Sequence, residues 1–267
     1  MEKIKSIELD KEFDSKEELI KELVSKKSEL IALKKAVNDR ESIPIKAHYF
    51  EKSKSTLKAL DMEEGFVYAV INTTNVLDSH GDLHVNGIWN KSAQEQNRKT
   101  YYVADHKIEM NNVIAYPQDV EIIIKEVSFQ ELGYDLQGFT QALIFKVAKD
   151  KIRLKAAQDV INENIAIQHS IRMQYVDLEM AVNSEDKAYQ EEKEVFDKYF
   201  PMIANKPDED LIYFWVITQA KISREGSMLP FGSNPITPLE HKNIEPSGDT
   251  HKTKPSKDTS RKYKSIF

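Results

Sequence analysis

The residues "QHSIRMQYVDLEMAV", 168–182, set a serine directly after a histidine at the front of a run that alternates polar and apolar. A serine hydroxyl becomes a nucleophile only when an imidazole within hydrogen-bond reach removes its proton. The alternation puts Ser170, Arg172 and Gln174 on one side of a strand and Ile171, Met173 and Tyr175 on the other. His169 therefore points away from Ser170 and is badly placed to act as its base. The base must come from elsewhere, and His106 is the candidate. It ends the strand-like "TYYVADH" and opens the polar loop "ADHKIEMNN", where a ring nitrogen can reach a cleft. The competing reading makes both residues ordinary structural ones.

His80 and His84 frame "HGDLH", and two histidines four apart can bind zinc from one helix face. Gly81 and Asp82 between them favour a turn, and the glutamate base of such sites is missing. Asp78 and Asp82 are better read as turn-capping carboxylates. No metal and no cofactor is expected: the chain has no Gly-rich phosphate loop, no GxSxG and no cysteine.

Several elements must position these residues. "DSKEELIKELVSKKSELIALKKAV" opens with Ser15 as N-cap and Glu18 three places on, a capping box. Leu19, Leu23, Leu30, Leu33 and Val37 follow heptad spacing, interrupted by Lys26. So narrow a stripe needs a partner, either the chain's own domain or another chain. Pro44 disfavours helix in the residue before it. From Gly65 the texture becomes β: "GFVYAVINTT", "TYYVADH", "NVIAYP", "VEIIIKEVSF", "GYDLQGFTQALIFKV" and "LIYFWVITQAKIS" read as strands. Residues 149–164 and 185–200 read as helices, the second with Ala188, Val195 and Tyr199 turned inward. "HKNIEPSGDTHKTKPSKDTSRKYKSIF" is polar and basic, with too little apolar surface to offset its ordering entropy, and is expected to be a disordered tail.

Composition bounds the rest. The 267 residues are 40% hydrophobic and 31% charged, with a net charge of −6, which argues against a general nucleic-acid binder. The absence of cysteine suits a reducing compartment. The N-terminus lacks the apolar region of a signal peptide, and no uncharged apolar run is long enough to span a bilayer, so no membrane partner is expected.

Four segments in order resemble the prohead (capsid maturation) proteases of tailed bacteriophages, relatives of the herpesvirus assemblins. "VINTTNVLDSHGDLHVNGIW" resembles the family's first strand and Asp-x-x-Gly-Asp loop, and "YYVADHK" its strand ending in the catalytic histidine. "QHSIRMQYVDLEMAV" resembles its HSxGM-x-Y strand, and "EGSMLPFGSNPITP" its closing Glu-x-Ser segment. The resemblance spans residues 65 to 240. It implies a serine endopeptidase with Ser170 as nucleophile, His106 as general base and Glu225 as the acid that orients the histidine. Arg172 stands where the family has glycine, on the same side as Ser170: either a positive donor near the oxyanion or an obstruction in a disabled site.

The expected fold class is α+β, mainly β: an assemblin-like closed or barrel-like sheet with peripheral helices. The expected organisation is a helix over 1–42, a protease domain over 43–240 and the tail over 241–267. The resemblance further implies major capsid protein and scaffold as substrates, cleaved inside the assembling procapsid in the host cytoplasm. Residues 15–40 then suit self-association or scaffold docking. The alternative is a catalytically inactive protease-fold scaffold or assembly protein.

Overall fold

Two long strands set the frame. Residues 168–182 and 213–229 combine β-branched and aromatic residues with a period of two, and they pair antiparallel along most of their length. The computed structural model describes residues 3–6, 8–36, 62–207 and 210–241. In chain order these form β1 (Ile4–Ser6), β2 (Lys11–Phe13), α1 (Lys16–Ser25), α2 (Lys27–Ala36), β3 (Phe66–Thr73), β4 (Asp82–His84), α3 (Asn90–Gln96) and β5 (Tyr101–Ala104). There follow β6 (Val113–Ala115), β7 (Glu121–Ser128), β8 (Phe139–Ala148), α4 (Lys155–Asn162), β9 (Gln168–Val182), α5 (Gln190–Tyr199), β10 (Tyr213–Leu229) and β11 (Leu239–His241). The architecture is mixed α+β with more strand than helix.

One sheet runs β4–β10–β5–β6, with β9 on the other side of β10; the second runs β11–β3–β8–β7. The expected closed barrel is not formed among the described residues. Closure needs every strand to pair on both sides, whereas β6, β7, β9 and β11 each pair with one neighbour. The sheets instead pack face to face, with Ile71, Leu143, Phe145 and Val147 from one meeting Ile171, Met180, Trp215 and Ile217 from the other in one core. They approach tightly at Gly226, where a Cβ would stand 2.6 Å from Phe145 Cε2 and 3.1 Å from Ile71 Cγ2. Only hydrogen fits there.

Most expected elements are present, with shifts that tertiary packing explains. The strand expected over "LIYFWVITQAKIS" runs on through "EGSML", the last part of β10, because β5 and β9 clamp it from both sides. Ala188 is exposed, whereas Tyr199 is buried as expected, together with Glu192 and with Phe196, which stacks on Phe200 and tilts against Phe214. β11 reaches His241, so the sheet extends one residue into the segment expected to be tail. The remainder of that tail, Val37 and Pro44 lie outside the described residues.

The N-terminal helix is two helices that break at Lys26. Ser15 Oγ accepts from Glu18 N–H at 3.1 Å as expected, while the Glu18 carboxylate reaches back to Asp14 N–H at 3.3 Å rather than to the cap itself. Leu19, Leu23 and Leu30 are buried in the same core as Met180 and Trp215, so the stripe finds its partner within its own chain. Leu33 is the stripe residue left half exposed, at 51%. The pair is also pinned by a buried cation. Lys34 is fully enclosed, with Nζ 2.5 Å from Asp82 Oδ1 and 5.1 Å from the Trp215 ring centre. Asp82 Oδ2 accepts from Tyr175 O–H at 2.7 Å, and Glu8 accepts from Tyr213 O–H and Trp215 Nε1–H beside the same lysine.

Removing one member of a buried pair strands the other charge away from water. Lys34→Ala is expected to lower the unfolding free energy by about 3–5 kcal/mol, whereas Leu33→Ala should change it by less than about 0.5 kcal/mol. Urea unfolding of the two variants beside the parent measures both.

Candidate active site

The site is built on the β9–β10 ribbon. Ser170 lies opposite Ser227 and Ile171 opposite Gly226; the register resumes at Met173 opposite Ile222. Arg172 alone thus faces Ser223, Arg224 and Glu225, a bulge of extra residues in β10 with Arg224 in the left-handed region at φ 66°. A bulge re-aims the side chains around it. Gly226 and Ile171 face the sheet-to-sheet core, so Ser227 and Glu225 on one strand, and Ser170 and Arg172 on the other, belong to the opposite face. Directly opposed residues of an antiparallel pair share a face with Cβ atoms about 4.5–5.5 Å apart. Ser170 therefore stands beside Ser227.

β5 runs parallel to β10 on its other side, with Tyr101 beside Glu225 and Val103 beside Ser227. The chain then turns sharply: Asp105 and His106 both have positive φ, 52° and 56°. Two consecutive non-glycine residues in that region are held only where surrounding contacts over-determine them. Here Asp105 N–H donates to Met228 O at 3.1 Å and His106 N–H to Ser227 Oγ at 2.9 Å. The turn brings the imidazole over Glu225, with Nδ1 2.8 Å from Oε1. A carboxylate only accepts, so Nδ1 carries the proton of this contact and Nε2 points away from it. Glu225 is wholly buried while the His106 side chain is 29% exposed, leaving the imidazole accessible.

No protein-family model, no curated protein and no solved structure matches this chain.

The geometry of the site brings His106, Glu225 and Arg172 into contact, with Ser170 on the same strand face. Arg172 Nη2 donates to His106 O at 2.9 Å, and its Nε lies 3.4 Å from Glu225 Oε1. Nη2 and Nε of the guanidinium are thus turned toward the histidine and its acid. Ser227 is the residue that sequence reasoning passed over. Its place two residues after Glu225, on the same strand face, was the signal that could have found it.

His169 faces away from Ser170, as strand alternation requires. It is buried between Tyr102 and Thr237, with Nδ1 2.9 Å from Thr237 O and Nε2 2.8 Å from Tyr102 Oη. The carbonyl only accepts, so Nδ1 bears the proton and Nε2 receives the tyrosine O–H. Burial pulls this imidazole down to about 4. Gly232 lets the next loop close on it, since a Cβ there would meet His169 O at 2.4 Å.

The "HGDLH" loop holds no metal cluster among the described residues. His84 is buried against Asn72 and Tyr175, and burial pulls it down to about 4. Asp78 caps the turn as expected, Oδ1 accepting from His80 N–H at 2.8 Å and Asp82 N–H at 2.9 Å. Burial, then the Asp82 charge, push its carboxyl up to about 8. Asp82 does something else. Burial acts to raise its pKa, but the charge and hydrogen bond of Lys34 outweigh it and hold the carboxyl below its usual range.

These shifts set the acid response. His84 and His169 titrate lower folded than unfolded, so each adds stability above pH 6.5 that is lost as pH falls toward 4, on the order of 3 kcal/mol apiece. Asp78 acts oppositely, holding in the folded state a proton that its unfolded form releases above pH 3.8. Between pH 4 and 6.5 unfolding should therefore take up about one net proton, two by the histidines less one by Asp78. His169→Asn is expected to flatten that slope nearly to zero. Urea unfolding across this pH range tests it, an unchanged slope being the contrary result.

Proposed function

We propose that this protein is a serine endopeptidase of phage head maturation, cleaving scaffold or the scaffold-like region of the major capsid protein inside the procapsid. The observation that carries the reading is the 2.8 Å contact between His106 Nδ1 and Glu225 Oε1, on the face where Ser170 stands beside the serine anchoring His106 N–H. The resemblance of "YYVADHK", "QHSIRMQYVDLEMAV" and "EGSMLPFGSNPITP" to prohead protease segments supplies the substrate class.

The division of labour follows from the atoms. His106 Nε2 takes the Ser170 proton as Oγ attacks the scissile carbonyl, and the imidazolium formed is offset by Glu225. Collapse of the tetrahedral intermediate expels the amine, which receives that proton, and leaves Ser170 acylated. Water, deprotonated by the same nitrogen, then releases the second product. Glu225 keeps the imidazole in the tautomer whose free lone pair faces out.

The second reading, an inactive protease-fold assembly protein, draws on Arg172 at the position where those proteases carry glycine. A fluorophosphonate probe, which reacts only with an activated serine, separates the two. Labelling is expected at Ser170, abolished in Ser170→Ala and slowed on the order of 10,000-fold in His106→Ala. In co-expression with the cognate capsid protein, Ser170→Ala should leave that protein uncleaved; continued processing would remove the assignment.

A further inference from the structure

A carboxylate as deeply buried as Glu225 needs a cation beside it. Among the described residues two groups face its Oε1, His106 Nδ1 at 2.8 Å and Arg172 Nε at 3.4 Å, while Oε2 has no hydrogen-bond partner. Without the guanidinium, the imidazole would be the one described group beside that buried negative charge, and a negative charge favours the imidazolium. An imidazolium has no lone pair and cannot take the Ser170 proton. The guanidinium is charged at every working pH, so it balances Glu225 without protonating His106. Its Nη2 also donates to His106 O at 2.9 Å, tying down a residue with φ 56° from the side opposite the Ser227 contact.

We infer that Arg172 is a positioning residue, whose grip on the His106 carbonyl and the Glu225 carboxylate fixes the turn and leaves the imidazole neutral to act as base. The inference rests on the reading of Ser170, His106 and Glu225 as the site. It also gives the arginine a use where the resembled proteases have glycine, which could supply neither contact. Among the described residues, the ionisable groups that meet His106 from packed strands are Glu225 of β10 and Arg172 of β9; Asp105 and Lys107 are its chain neighbours, and Arg224 adjoins Glu225.

The test is the rate of fluorophosphonate labelling at Ser170 against pH, in the full-length protein and in Arg172→Gln and Arg172→Lys, with urea unfolding alongside. Arg172→Gln is expected to slow labelling about 10- to 100-fold near pH 7. It should also move the acid limb of the profile to higher pH, so that much of the rate returns in alkali. Arg172→Lys keeps the charge and loses the carbonyl contact, so its acid limb should stay and its plateau fall about tenfold. An acid limb unmoved in a folded Arg172→Gln protein overturns the inference and leaves the site reading intact. Should that variant not fold, a plateau in Arg172→Lys equal to the parent's does the same. A parent protein unlabelled at every pH overturns the site reading and the inference together.

Discussion

The antiparallel pairing of β9 with β10 carries the sheet and the site together. Before the bulge, the ribbon's alternation sends one set of side chains, Met180 and Trp215 among them, into the core shared with β3, β8 and the N-terminal helices, and the other set, Ala181 and Phe214 among them, against α5. At the bulge, extra residues in β10 keep Glu225 on the outer face while Gly226 lies flat against Phe145. A one-residue slip would exchange the two faces, burying Ser170 and Arg172 and exposing Ile171. The core therefore fixes the register, and the register fixes which residues meet His106.

His106 is reached by a different route. β5 delivers the chain parallel to β10, and the left-handed turn at Asp105 and His106 folds it back over the bulge. That conformation is locally unfavourable and is sustained by contacts made through strands far apart in sequence: Ser227 and Met228 from β10, Arg172 from β9. Strain concentrated in one turn and held by three long-range contacts fixes where the imidazole stands.

The N-terminal helices belong to the same body. Their leucines enter the core, and Lys34 joins Asp82, Tyr175 and Glu8 in a polar cluster that excludes water. Tyr175 lies on the strand that carries Ser170, so the helices brace the far end of the ribbon from which the site is built. Among the described residues no helix is long and apolar enough to cross a membrane.

The sequence by itself determined the local choices. β-branched runs with period two made β3, β7, β9 and β10, and alternation alone turned His169 away from Ser170, because a strand's side chains must point to alternate faces. Proximity was decided by tertiary structure. Nothing local to Glu225 says that it will meet a histidine 119 positions earlier, and nothing local to Arg172 says that it will grip that histidine's carbonyl. The expected barrel failed for the same reason: strand content is a property of segments, whereas closure depends on which edges pair. Lys34 reads in sequence as one more surface lysine of a charged helix; only the fold, by enclosing it beside Asp82, made it part of the core.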